Sequence, residues 1–162
     1  MQTEIVNPER STLDARPSTA LHRATALVLA ASFAVTGVVF LAAPAQVGAL
    51  LRAAGIAGGE GMPVADVESG LFRALAVAYM YLVTLFAWLM FRRPAEPAWP
   101  MLLAHAKLAS AVVSLVLFAG HAPYPIYLVN AVVDGLLGVL ALALWRGAVS
   151  RRRQARRQGV PA

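Results

Sequence analysis

From Ala24 to Leu51 the chain carries no charged side chain, a run of 28 residues, and this fixes the solvent in which it folds. A helix needs about 20 apolar residues to cross roughly 30 Å of hydrocarbon. Four stretches meet that length, so the sequence predicts transmembrane spans at about 24–43, 70–91, 99–119 and 124–145. The first run is longer than one crossing. Pro44 and Gly48 divide it into a span and an interfacial piece.

Composition agrees. The chain is 59% hydrophobic and 14% charged over 162 residues, against roughly a quarter charged in an ordinary soluble domain. A soluble fold of this length keeps much of its surface wet and has nowhere to hide so much apolar side chain. Cysteine is absent, which excludes disulfides, thiolate nucleophiles and cysteine-ligated metals.

The charges are segregated. Residues 1–23 hold three acids and three bases, and the last seventeen residues hold six arginines and no acid. Residues 1–23, with Pro8 and Pro17, read as a flexible cytoplasmic arm and not as a cleaved signal peptide. The apolar run is long, and Ala42-Ala43-Pro44 is a poor cleavage site. Residues 24–146 form the transmembrane domain, with a long outer loop at 44–69, and residues 147–162 a basic cytoplasmic tail.

Lys and Arg beside a span stay on the cytoplasmic side. With four spans, both termini and the 92–98 loop share one side, which holds 11 of the 14 basic residues. The expected fold is therefore an all-α, integral membrane four-helix antiparallel bundle with cytoplasmic N- and C-termini. The short second and third connections make spans 2, 3 and 4 antiparallel neighbours. In the long outer loop, Gln46 to Arg52 is expected to form an amphipathic helix on the membrane surface. Gly55 to Pro63, with four glycines, is mobile by composition. Asp66 suits the N-cap of the second span, and Glu68 the positive end of its dipole.

Lys107 and Asp134 are the two charges that topology does not explain. At ~1.5 Å per residue, Lys107 lies roughly 12 Å and Asp134 roughly 16 Å from the cytoplasmic face. An ion pair across spans 3 and 4 is the expected outcome. Lys107, Ser110 and Ser114 share one helical face, as do Tyr127, Asn130 and Asp134. Together they predict an intramembrane polar seam, with Ala106, Ala131, Gly135 and Gly138 small enough for close backbone approach. The seam has three readings at this point. It fixes helix register and nothing more. It binds a ligand, a quinone head group or a proton. Or Lys107 snorkels to the cytoplasmic interface and never meets Asp134.

Other polar residues say less. His105 points about 200° away from Lys107 and reads as an interfacial or subunit-facing group. His22 and His121 sit at opposite membrane edges, so no histidine pair shares a metal or haem by helical spacing. Arg73 pairs with Asp66 or Glu68 as an outer-face ionic cluster, or snorkels to outer head groups. Tyr79, Tyr81 and Trp88 line a cavity or simply pack. Arg151 to Arg157 reads as stop-transfer and anionic-lipid contact, not a nucleic-acid site. No phosphate loop, nucleophile elbow or zinc-binding helix is present, and the glycines of 55–61 follow no strand, which disqualifies them as a dinucleotide site.

With its long first outer loop, Arg73 in GLFRALAVAYMYLV and Asp134 in NAVVDGLLGVLAL, the chain resembles the small four-span DoxX-like bacterial membrane proteins over most of 24–146. The resemblance implies a bacterial inner-membrane location and association with quinone-linked oxidoreductases, as for some members of that group; the thiol chemistry of other relatives has no cysteine here. The leading expectation is a non-catalytic accessory or assembly subunit, partnered by other membrane subunits or by its own copies. The alternative is a small transporter or ligand-binding protein for a proton, quinone or lipid-like molecule that uses Lys107 and Asp134. A membrane enzyme has no support beyond Asp134 as an acid–base group.

Overall fold

The computed structural model describes residues 8–55, 70–120 and 124–157, and these hold five helices and no strand. They are α1 (Pro8–Ala42), α2 (Pro44–Ala53), α3 (Gly70–Arg92), α4 (Ala98–Gly120) and α5 (Pro125–Arg157). Three of the five begin on proline, whose fixed φ and missing N–H suit a first helical turn. Within four of them, Thr19–Ala42, Arg73–Arg92, Ala98–Gly120 and Pro125–Gln154 are long and apolar enough to cross a membrane.

Helix boundaries depart from the span boundaries at the charged ends. The helical run of α1 begins at Pro8, inside the segment read as a polar arm. α5 continues past Trp145 to Arg157. Arg, Gln and Ala are strong helix formers, so nothing in the tail stops a helix where the apolar pattern stops. At about 50 Å by its rise per residue, α5 outreaches the hydrocarbon.

The helix expected at Gln46 to Arg52 is α2. Pro44 opens it and none of its residues is buried. It stops at Gly55, whose φ of 66° lies in the left-handed region. The amides of Ala54 and Gly55 close its last turn onto the carbonyls of Leu50 and Arg52, both at 2.9 Å.

α4 packs most extensively on α5, and α1 on α3, with α3 bridging the two pairs through α4. The α4–α5 pair is antiparallel. Lys107 meets Asp134, Ser114 meets Asn130, and Gly138 faces Leu108, so one helix descends as the other rises. All four long helices contribute to one buried cluster: Ala26, Leu29, Ala30 and Phe33 from α1; Val83, Ala87 and Met90 from α3; Leu103 and Ala104 from α4; Ala141 from α5. Five of the ten are alanines, which lets backbones come close.

The outside is the reverse of a soluble protein's. Val35, Val38, Leu41, Leu75, Val112, Val116, Leu136 and Val139 are all exposed, while Lys107 and Asp134 are buried. No more than 28% of the apolar stretch of any of the four helices is buried. Such a surface is insoluble in water and matched to lipid.

Candidate functional site

Lys107 is carried by α4 one turn beyond Leu103 and Ala104, on the face turned to the other helices. Its Nζ donates to Asp134 Oδ1 of α5 at 2.9 Å. The two side chains are 2% and 7% exposed, so water does not screen the pair. Lys107 therefore does not snorkel to an interface. Two charges taken out of water together cost far less than either alone, and in hydrocarbon the alternative to pairing is prohibitive.

Two aromatic rings complete the surroundings. Lys107 Nζ lies 4.8 Å from the centroid of Phe33 and 5.0 Å from that of Tyr79, distances at which a ring face attracts a cation. The Tyr79 hydroxyl donates to the Ala106 carbonyl at 3.0 Å. Lys107 thus touches α1, α3 and α5, and residues from all four long helices converge on it.

Toward the far end of α4 the seam continues. Asn130 Nδ2 donates to Ser114 Oγ at 2.8 Å and more distantly to Ser110 Oγ at 3.4 Å. Ser114 is buried, while Asn130 is exposed at the edge of the pair. Of the predicted seam residues, Lys107, Asp134, Asn130, Ser110 and Ser114 come together. Tyr127 does not join them; its ring packs on Tyr124, with centroids 6.2 Å apart.

The outer-face ionic cluster has one described member. Arg73 is exposed near the start of α3, whereas Asp66 and Glu68 lie outside the described residues, as does His121. Trp88 stacks on Phe91 with centroids 5.3 Å apart, and Tyr81 is exposed. Neither faces the ion pair. His105 is exposed on the outer face of α4, its Nδ1 2.8 Å from the Met101 carbonyl. A carbonyl only accepts, so Nδ1 is the donor in this contact.

A second polar group lies where the chain's basic residues gather. Arg151 of α5 sends Nη2 to His22 Nδ1 of α1 and to the Pro94 carbonyl of the α3–α4 connection, each at 3.2 Å. Beside it Arg152 pairs with Glu96 at 3.5 Å on the surface. Sequence reasoning missed both this cluster and Phe33. Their partners are far apart in the chain, 129 residues for His22 and Arg151, and no periodicity links them.

Among the described residues no three His, Asp or Glu side chains gather as metal ligands. No family model, curated protein or solved structure matches the chain.

Proposed function

We propose that the protein is a multi-pass protein of a bacterial inner membrane, an antiparallel four-helix bundle with both termini in the cytoplasm, and that it serves as a non-catalytic accessory or assembly subunit of a larger membrane complex. The observation that carries this reading is the closure of the buried pair. Lys107 spends its charge on Asp134 and on two aromatic faces, which leaves the pair as a clamp between helices. The basic residues near the ends of α1, α3 and α5 support the orientation.

The outer face of α4 supports a partner. An exposed imidazole on a helix apolar enough to cross a membrane is costly, and a neighbouring helix that hydrogen-bonds His105 Nε2 removes the cost. The DoxX-like resemblance suggests a quinone-linked oxidoreductase complex as that neighbour.

Purification from the native membrane in mild detergent, with mass spectrometry of what comes along, tests the reading. A membrane protein in fixed ratio is expected, and His105→Leu is expected to loosen it without unfolding the chain. A monodisperse chain that carries only a bound small molecule overturns the subunit reading in favour of a ligand carrier.

A further inference from the structure

Asn130 carries an amide where the chain is otherwise built to meet lipid. It stands five residues past Pro125 on α5, about 8 Å into the helix by its rise, and the residue is exposed at the α4–α5 edge. Nδ2 donates one hydrogen to Ser114 Oγ at 2.8 Å and reaches Ser110 Oγ only at 3.4 Å. Among the described residues no donor reaches Oδ1. Turning the amide over exchanges its two ends and still leaves one of them unmet. Hydrocarbon offers neither donor nor acceptor, so this half of the amide carries a cost that the isolated chain does not relieve.

The surroundings narrow what can relieve it. Ile126, Asn130, Val133 and Leu137 follow one another at spacings of four and three along one side of α5, and Asn130 and Val133 are exposed there. A single asparagine in an apolar stripe is a device by which parallel helices fix partner and register, because an amide both donates and accepts and so fits a copy of itself. Depth decides between a copy and a stranger. Two copies of one chain insert in the same direction, so their amides lie at the same level of the bilayer; an unrelated helix brings a polar group to that level only by coincidence.

We propose that the Asn130 edge of α5 is a docking surface for a second copy of this chain, packed in parallel about a two-fold axis normal to the membrane. Across that axis each Nδ2 turns its loosely held hydrogen from Ser110 to the partner's Oδ1, while the short bond to Ser114 is kept. Two reciprocal bonds result, and both ends of each amide are satisfied. Val133, one turn further along α5, packs beside the axis and supplies steric fit. His105 lies five positions before Ser110 on α4, roughly 140° round that helix, so the dimer leaves the His105 face free for a different subunit.

The chain has no cysteine, so single cysteines report the contact in native membranes without background. Val133→Cys is expected to give a dimer with a short thiol-reactive cross-linker, whereas Val112→Cys, on the exposed side of α4 with His105, is expected to stay monomeric. Asn130→Leu in the Val133→Cys chain is expected to lower the dimer yield and, by sedimentation equilibrium in detergent, to weaken the dimer about tenfold, the worth of two interhelical bonds. Ser114→Ala leaves the amide in place and is expected to keep the dimer. Equal self-cross-linking from positions 133 and 112, a product with a different protein from position 133, or an undiminished dimer in a folded Asn130→Leu chain overturns the proposal. Far-ultraviolet circular dichroism of each variant separates a lost contact from a lost fold.

Discussion

The two helix pairs hold together by different means. α4 and α5 are joined by polar atoms: one buried ion pair and a serine–asparagine contact. α1 and α3 meet through Ala26, Ala30, Phe33, Val83 and Ala87 and through the close approach of Gly37 to Met80. In lipid the hydrophobic effect does not drive helices together, so both pairs depend on contacts that lipid tails cannot imitate. The polar pair obtains register from directional bonds, and the apolar pair obtains it from steric fit.

Breaking the ion pair should have the largest effect. Asp134→Ala or Lys107→Ala leaves a buried charge unpaired, at about 3–5 kcal/mol, whereas exchanging the two residues keeps the pair and should restore most of that loss. Unfolding in mixed micelles, followed by far-ultraviolet circular dichroism, measures all three. If each single variant keeps its stability, the pair is no clamp, and the ligand reading of Lys107 and Asp134 gains in its place.

The same comparison separates what the sequence discloses from what it conceals. The α4–α5 contact is legible because the connection between the helices is short and both charges fall at similar depth, so two helices of known rise must bring Lys107 and Asp134 together. The α1–α3 contact is not legible. Residues 44–69 intervene, so no short connection dictates which helices meet, and although Ala26, Ala30 and Gly37 share one side of α1, that stripe does not say which helix packs on it. Phe33 is hidden for the same reason: an aromatic residue in a span is ordinary, and only the packing of α1 sets it over Lys107. The length of α5 is concealed differently, because hydropathy marks where the membrane ends and not where a helix does.

Steric fit in the apolar pair is open to a second test. A Cβ at position 37 comes within 3.0 Å of Met80 Cβ, an atom that cannot move without its backbone. Gly37→Val should therefore push α1 from α3 and cost about 1–3 kcal/mol. A Cβ at position 138 comes within 2.7 Å of Leu108 Cγ and Cδ2, a side chain with some freedom, and 3.4 Å from the Leu108 backbone nitrogen, and Gly138→Ala also gains about 1 kcal/mol of helix propensity. Its net cost should be the smaller of the two by the same unfolding measurement. A reversed order would place the tighter interface in the polar pair.

The smallest effect is expected at the edge of the seam, where it divides register from stability. Asn130→Ala removes the bond to Ser114 and the longer one to Ser110, yet leaves the ion pair untouched. Interhelical hydrogen bonds of this kind are worth about 0.6 kcal/mol in membranes, so unfolding should barely shift. Asn130 is exposed at the edge of the pair, and its loss frees Ser114 to turn toward its own helix. Because the chain has no cysteine, single cysteines placed at Leu108 and Gly138 report the α4–α5 alignment by cross-linking without background. Unchanged cross-linking in Asn130→Ala is expected if Lys107 and Asp134 set the register alone, and a shifted pattern would show that the weak bond, not the strong one, fixes where the two helices stop sliding.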